Sequence, residues 1–162
     1  MKTSDIEDNL TQLLNLENLG EEYKHFQFHH IGIATNNIEE AFEDYQLISY
    51  KKGDSYIEEN IGVKAMFALN ENMPTLEILE NLPECHPLDI YLKNFMKVFH
   101  QGYLVDNFAY CKDLLVNKLG GKIISDIYKS EYFKGKCCYI LMPDRFTIEV
   151  IENKTYKSRN YF

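Results

Sequence analysis

Two histidines and two glutamates recur at matched positions in this chain of 162 residues. His30 and His100 lie 100 − 30 = 70 residues apart, and Glu77 and Glu149 lie 149 − 77 = 72 residues apart. Imidazole nitrogens and carboxylate oxygens are ligands for borderline divalent metals such as Zn, Ni, Co, Mn and Fe. The residue types and their spacing therefore predict one divalent metal site with room for water or a substrate.

An internal repeat surrounds these four residues. Residues 75–81 (TLEILEN) return as residues 147–153 (TIEVIEN) with four identical positions. Residues 30–37 and 100–107 share a His, a Gly two residues later and an Asn seven residues later. A repeat of this length indicates duplicated structural units. Each unit is expected to carry one His on an early strand and one Glu on a late strand.

Both copies show the order strand, helix and three strands. Hydrophobic periodicity and the positions of Gly, Pro and Asn give the bounds. In module one (26–81) the predicted strands are 26–34, 49–52, 62–69 and 75–81, the helix is 38–47, and 53–60 is a loop. In module two (98–153) the predicted strands are 98–105, 122–128, 136–142 and 146–152, and the helix is 107–119. A connector, residues 82–97, joins the modules and contains a short helix.

Two segments lie outside the repeat. Residues 1–24 predict an acidic N-terminal extension, with an amphipathic helix over 4–22 that packs on the domain or on a partner. Residues 156–162 form a tail. The single domain is expected to span residues 25–155, which is an ordinary domain size.

Composition excludes several classes of function. The net charge of -8 and the pI near 5.1 argue against a nucleic-acid partner, because phosphate backbones are bound by clustered Lys and Arg. No run of 18 apolar residues is present, and the N-terminus has Asp5, Glu7 and Asp8 where a secretory signal would be basic. We therefore expect no membrane association and a cytoplasmic location.

Strand alternation assigns a face to each candidate ligand. His30 shares its face with Gly32, and His100 shares its face with Gly102. Glycine leaves the backbone bare, so another group can approach closely at these points. Glu77, like Glu149, lies in an apolar strand, where an unpaired carboxylate would be costly to bury. One shared divalent cation would neutralise both carboxylates.

The remaining His and Glu residues near these strings are expected to have other roles. His29 alternates to the face opposite His30, and His25 and His86 have no counterpart in the repeat. We interpret all three as structural or surface residues. Glu80 and Glu152 recur on the face opposite the candidate ligands, and we expect them to mark solvated strand ends.

The assembled pattern resembles the vicinal oxygen chelate superfamily, also called the glyoxalase fold, over about residues 26–153. The resemblance implies an α+β fold in which two tandem βαβββ modules form a cupped mixed sheet around a divalent metal. It implies His30, Glu77, His100 and Glu149 as the metal ligands. The N-terminal helix would be an addition to that fold.

Within the superfamily the chain is most similar to the methylmalonyl-CoA epimerase family. The resemblance is carried by residues 29–34 (HHIGIA), 62–67 (GVKAMF), 76–80 (LEILE), 87–93 (PLDIYLK) and 148–150 (IEV). It implies a metal-dependent enzyme that removes the α-proton of an acyl thioester or related acid through a metal-stabilised enolate. A small-molecule partner such as a CoA or glutathione thioester and a homodimer are also expected.

The candidate proton-transferring residues follow from the same resemblance. These epimerases carry a Glu two residues before the Gly-Val of the third strand, and here that position is Asn60. An amide cannot accept the proton. The adjacent Glu59 and the candidate ligand Glu149 are therefore the expected catalytic carboxylates.

Three other functions remain open at this point. Glyoxalase I, or lactoylglutathione lyase, isomerises a glutathione hemithioacetal with the same four ligands. An Fe(II) dioxygenase needs two His and one carboxylate with open positions for oxygen, and Glu77 argues against it. A drug-sequestering binding protein of this fold would function without metal.

Overall fold

The computed structural model describes residues 23–153 of the chain. The predicted N-terminal helix over 4–22 and the tail 156–162 lie outside the described residues. The strands are β1 (Phe26–Ala34), β2 (Lys51–Glu58), β3 (Val63–Leu69), β4 (Leu76–Asn81), β5 (Val98–Val105), β6 (Lys122–Ile123), β7 (Tyr128–Lys129), β8 (Lys136–Leu141) and β9 (Thr147–Glu152). The helices are α1 (Ile38–Leu47), α2 (Asp89–Lys93) and α3 (Phe108–Asp113), with 3-10 turns at Tyr23–His25 and Glu59–Ile61.

One mixed sheet contains all nine strands, in the order β2-β3-β4-β1-β5-β9-β8-β6, with β7 also paired to β8. Module one forms the first four strands of this order and module two forms the rest. The central strands β1 and β5 are antiparallel, and they join the modules. Within each module, the first and last strands are parallel neighbours, β1 with β4 and β5 with β9. The predicted α+β fold of two βαβββ modules is confirmed.

Each module packs its helix on one face of the sheet. In module one, Ile38 and Phe42 of α1 are buried against strand residues that include Ile78. In module two, Phe108 and Cys111 of α3 are buried in the equivalent cluster. A third cluster draws residues from both modules and lines the opposite, concave face, which we call the cup: Ala65, Leu79, Phe99, Cys137, Tyr139 and Ile151.

Asparagine begins both helices, as the sequence predicted. The Asn37 side chain accepts a hydrogen bond from Glu40 N at 3.1 Å, and the Asn107 side chain accepts one from Tyr110 N at 3.1 Å. These contacts satisfy backbone N–H groups that have no partner within the first turn. The duplicated units therefore share their helix starts as well as their strands.

Glu80 and Glu152 were expected at solvated strand ends, and that interpretation is wrong. Both are partly buried, and both accept hydrogen bonds from the backbone. Glu80 Oε2 accepts from Ile38 N at 2.8 Å at the start of α1, and Glu152 Oε2 accepts from Lys136 N at 3.1 Å at the start of β8. Burial of an unpaired N–H is costly, which explains why carboxylates recur here.

Three predicted elements differ from the structure. Residues 53–58, predicted as loop, belong to the edge strand β2, whose largely exposed polar side chains resemble a loop composition. The predicted strand 122–128 is broken into β6 and β7, because the Ser125 hydroxyl accepts from Tyr139 N at 2.9 Å in place of a ladder bond. The predicted helix 107–119 ends its α-helical part at Asp113 and continues as a π-helical turn.

No helix within residues 23–153 has both the length and the apolar character required to cross a bilayer.

Candidate metal centre

Backbone pairing brings the four candidate ligands into two adjacent rows across the sheet. In one row Gly32 of β1 lies between Glu77 of β4 and His100 of β5. The second row is formed by His30 of β1, Gly102 of β5 and Glu149 of β9. Each row therefore combines residues of both modules.

The two glycines make room for the imidazole rings. A Cβ atom on Gly32 would lie 1.9 Å from Cε1 of His100, and a Cβ on Gly102 would lie 2.1 Å from Cε1 of His30. No side chain fits at these distances, so each ring lies directly over the bare backbone of the neighbouring strand. The close approach that the sequence predicted at these glycines is made by the other module's histidine.

One donor atom from each of the four residues points to a common position. Nε2 of His30 lies 2.9 Å from Nε2 of His100, 3.1 Å from Oε2 of Glu77 and 3.2 Å from Oε2 of Glu149. Nε2 of His100 lies 3.3 and 3.5 Å from the same two oxygens. Four donors bound at about 2.1 Å to one cation lie roughly 3.0–3.4 Å apart, so the observed spacing fits a metal site.

Burial supports the same interpretation. The four residues are at most 2% exposed, and together they form the His/Glu group that could hold a metal ion. Within the described part of the chain, no hydrogen bond reaches Oε2 of Glu77 or Oε2 of Glu149. Buried carboxylate oxygens without a hydrogen bond are costly, whereas coordination to a cation would satisfy both.

The two imidazoles and two carboxylates strongly shift one another's pKa. Burial alone would lower the pKa of His30, but the neighbouring Glu77 and Glu149 outweigh it and raise that pKa to about 10. Burial would raise the pKa of Glu149, yet hydrogen bonds from His100 and His30 hold it at about 2. The carboxylates therefore remain ionised, which is the state required of metal ligands.

A tyrosine in each module holds the second oxygen of the glutamate. Tyr56 donates a hydrogen bond to Oε1 of Glu77, and Tyr128 donates one to Oε1 of Glu149 at 3.2 Å. The hydroxyls leave both Oε2 atoms facing the histidines. Sequence reasoning missed these tyrosines, although their separation of 128 − 56 = 72 residues equals that of the glutamates.

His29 lies beside the candidate metal centre, and its predicted place on the opposite face is wrong. The pairing of β1 with β5 shifts register between Phe28 and His30, and this irregularity breaks the strand alternation. Nδ1 of His29 lies 2.8 Å from Nδ1 of His30, and its ring packs edge-on against Phe67. Burial, and then the charge of His30, lower the pKa of His29 to about 4.

His25 and His86 lie away from the centre, as predicted. Nδ1 of His25 contacts Asp106 at 2.9 Å near the start of β1. The His86 side chain is exposed and lies near Asp89 in the connector.

The predicted base Glu59 is exposed on the 3-10 turn after β2, and it is not part of the four-residue group. The preceding residue, Glu58, is 3% exposed. Its Oε1 accepts a hydrogen bond from the Asn60 amide at 2.8 Å, while its Oε2 has no hydrogen-bond partner within residues 23–153. The sequence reasoning missed Glu58, because the edge strand β2 was predicted to end at residue 52.

Glu58 faces the cup that contains the ligands. Burial, the Glu149 carboxylate and, to a smaller extent, the Glu58 carboxylate raise the pKa of Tyr128. The same two carboxylates, after burial, raise the pKa of the Cys137 thiol. Glu58 is therefore a second buried acidic group near the candidate metal centre.

The turn between β7 and β8, which we call the cover turn (residues 130–134), lies over the histidine of module one. The Phe133 ring is parallel to that of His30, with centroids 6.4 Å apart and an angle of 9°. The Tyr132 ring stacks on Tyr56 at 4.2 Å, and its hydroxyl donates to Asp54 at 3.0 Å. Module two thus closes the cup against β2 of module one.

Comparison with known proteins identifies the fold. No family model and no curated protein matches the sequence. A solved structure of a hypothetical protein from Bacillus halodurans C-125 is 19% identical, with a TM-score of 0.66, and the match covers 83% of this chain and 99% of that one. Together with the paired modules, these structural likenesses define the vicinal oxygen chelate fold, so the predicted resemblance is confirmed.

Methylmalonyl-CoA epimerases are among the solved structures that share this fold. The enzyme from Mycobacterium tuberculosis is 16% identical, with a TM-score of 0.63 over 78% of this chain and 87% of that one. A variant of the Streptomyces coelicolor enzyme in complex with 2-nitronate-propionyl-CoA is 17% identical, with a TM-score of 0.62 over 82% and 98% of the two chains.

Proposed function

We propose that this protein is a metal-dependent epimerase or isomerase that removes and returns the α-proton of an acyl thioester or a related acid. The observation that carries the proposal is the convergence of two imidazole nitrogens and two carboxylate oxygens within 4.8 Å of one another in a buried cup. The likeness of the fold to methylmalonyl-CoA epimerases supports an epimerase of that kind.

His30, His100, Glu77 and Glu149 are the proposed ligands of one divalent metal among Co, Ni, Zn, Mn and Fe. When bound, such a cation supplies Lewis-acid stabilisation, worth several kcal/mol, for the negative charge that develops when an α-proton leaves. The chain's own contribution is to keep both carboxylates ionised and to orient them through the two tyrosine hydroxyls. Burial of the ligands excludes water from the reacting groups.

Glu58 and Glu149 are the proposed proton-transferring carboxylates. Oε2 of Glu58 is buried without a hydrogen bond in the described chain, so it can accept a proton without breaking a contact. The Asn60 amide donates to the other oxygen of Glu58 and holds the carboxylate in place. Glu59, the base expected from the sequence, is the alternative to Glu58.

The proposed partner is a small thioester, with CoA as the leading carrier. Support comes from solved neighbours in complex with methylmalonyl-CoA or with 2-nitronate-propionyl-CoA. A glutathione thioester is the alternative. The homodimer and the cytoplasmic location stay predictions.

Native mass spectrometry of protein purified without chelator tests the metal. Incubation of that protein with methylmalonyl-CoA in D₂O, followed by NMR, tests the chemistry, and we expect deuterium to replace the α-proton. Conversion of the hemithioacetal of methylglyoxal and glutathione would instead support the glyoxalase I function. Oxygen uptake with bound iron would support a dioxygenase, and absence of metal would support a binding protein and contradict our proposal.

A further inference from the structure

A cavity of about 150 Å³ lies in the cup, between the connector and the concave face of the sheet. Aliphatic and aromatic side chains from both modules and from the connector form most of its wall. Its main lining residues are Val63, Leu79, Leu88, Tyr91, Phe99 and Tyr139.

The cavity shares a wall with the candidate metal centre on the side of His100. The Phe99 ring meets the His100 ring at 4.4 Å and 73°, and the Tyr139 ring meets it at 5.2 Å and 84°. Leu79 lies two residues after Glu77 on β4, so both side chains face the cup. A ligand whose oxygens reach the candidate metal centre could therefore extend an adjoining group into this space.

The lining favours an apolar group. The Ser125 hydroxyl, which belongs to the wall, donates to Asp126 O at 2.9 Å and accepts from Tyr139 N at 2.9 Å, so its hydrogen bonds are already formed. Tyr91 is hydrogen-bonded to Thr147. A polar ligand group placed among the remaining side chains would lose hydrogen bonds to water without replacing them.

The volume argues for a group larger than methyl. A cavity of about 150 Å³ lined by Leu, Ile and Phe holds a benzene molecule, which contains six carbons. A single methyl group would leave most of such a space empty and would lose the packing contacts that its walls offer.

We propose that this cavity is a specificity site for an apolar alkyl or aromatic group of about four to six carbons, carried by the ligand next to the oxygens that it presents to the candidate metal centre. The proposal rests on the proposed function and refines its substrate class. Acids or thioesters with a butyl, hexyl or benzyl group are preferred over those with a methyl group.

A series of alkyl hydroxamates tests this proposal without any turnover. Hydroxamates chelate divalent metals, and the alkyl group can be lengthened from acetohydroxamate to octanohydroxamate. Binding to the metal-loaded protein is measured by isothermal titration calorimetry. Each added methylene is expected to lower Kd about fourfold until the cavity is full, a change equivalent to about 0.8 kcal/mol.

The variant Ile61→Trp should abolish this dependence. Ile61 is partly buried and lines the cavity, so an indole there would occupy the space. Acetohydroxamate binding should be unchanged, because the methyl group needs no cavity. The matched control is Ile90→Trp, at a position on α2 that is 64% exposed and outside the lining, and it should keep the full series.

The possible outcomes separate the two proposals. Acetohydroxamate binding with no gain along the wild-type series overturns the cavity proposal and leaves the metal centre standing. A gain along the series without α-proton exchange supports the cavity and contradicts the proposed reaction. Failure of every hydroxamate to bind overturns both.

Discussion

Module one and module two place the same set of side chains around the candidate metal centre. Each supplies a histidine, a glycine that makes room for the other module's histidine, a glutamate, and a tyrosine that donates to that glutamate. The equivalent pairs are His30 and His100, Gly32 and Gly102, Glu77 and Glu149, and Tyr56 and Tyr128. Equivalence of this kind indicates that both modules contribute equally to holding a metal.

The modules differ in the neighbours of these residues. His29, which contacts His30, is replaced by Phe99 before His100, and Glu58 is replaced by Ser130 at the interval of the glutamates, 130 − 58 = 72. Module one therefore carries the additional titratable groups, whereas module two carries the apolar ring and the cover turn. We infer that the metal is held symmetrically and that the chemistry depends on module one.

Removal of either histidine should have the largest effect. His100→Ala leaves three ligands and one fewer nitrogen donor, so we expect loss of stoichiometric metal by native mass spectrometry and loss of α-proton exchange. His30→Ala should cause an equal loss, because the two donors are equivalent. His86→Ala, in the exposed connector, is the control that should keep its metal. Full metal content in His100→Ala would contradict the assignment.

Glu58→Gln should separate holding a metal from the reaction. If Glu58 transfers a proton, its amide replacement should slow α-proton exchange by roughly 10²–10⁴-fold with unchanged metal content. Ser130→Ala, the equivalent change in module two, should have little effect on the reaction. Glu59→Gln is the matched control, and a large loss there instead of at Glu58 would restore the base expected from the sequence.

His29→Phe makes module one resemble module two at this position. With Nε2 of His30 turned to the other ligands, its Nδ1 carries the proton and donates to Nδ1 of His29 at 2.8 Å. Loss of such a contact should weaken metal affinity about 10–100-fold, measured by competition with a chelator. His29→Asn should retain the affinity, since its Oδ1 can accept the same hydrogen bond. Equal affinities for all three proteins would show that His29 does not position His30.

The same substitution should change how the stability of the metal-free protein depends on pH. The pKa of His29 is about 4 in the folded chain against 6.5 when unfolded, so His29 destabilises the fold as pH falls from 6.5 towards 4. The pKa of His30 is about 10 when folded, so its stabilising effect is lost as pH rises from 6.5 towards 10.

Chemical denaturation between pH 5 and 9 would measure both effects, each with a slope of at most about 1.4 kcal/mol per pH unit. His29→Phe should flatten the acidic side and leave the alkaline side unchanged. An unchanged acidic side would mean that the proton on His29 does not limit stability.

The sequence predicted what the duplication repeats. Its matched intervals indicated the strand order, the Asn helix starts, the bare glycines and the four candidate ligands. Extension of the 72-residue interval from Glu77 and Glu149 would also have found Tyr56 and Tyr128. These features follow from local pattern because both copies need the same backbone and the same contacts.

The features that differ between the copies were not predictable from the repeat. The position of His29 depends on a register irregularity of β1 against β5, which has no signal in strand alternation. The burial of Glu58 depends on the length of the edge strand β2 and on contacts with module two. Both arise from tertiary packing, which overrides local pattern.

The cover turn gives the smallest predicted effect of the comparison between modules. Its Tyr132 hydroxyl donates to Asp54, and the ligands beneath the turn are at most 2% exposed, so a metal ion can leave only if the cup opens. Tyr132→Phe removes the hydrogen bond and keeps the ring that stacks on Tyr56. A net loss of about 1 kcal/mol should increase the open population, and the rate of metal extraction by EDTA, about fivefold.

The equivalent position in module one is Asn60, whose amide donates to Lys129 O at 3.3 Å. This contact is longer than that of Tyr132 and is exposed, so Asn60→Ala should change the extraction rate less than Tyr132→Phe does. Tyr110→Phe, on α3 and away from the cup, is the control and should extract at the wild-type rate. If Asn60→Ala accelerates extraction as much as Tyr132→Phe, both turns close the cup equally, and the difference between the modules is confined to the titratable groups of module one.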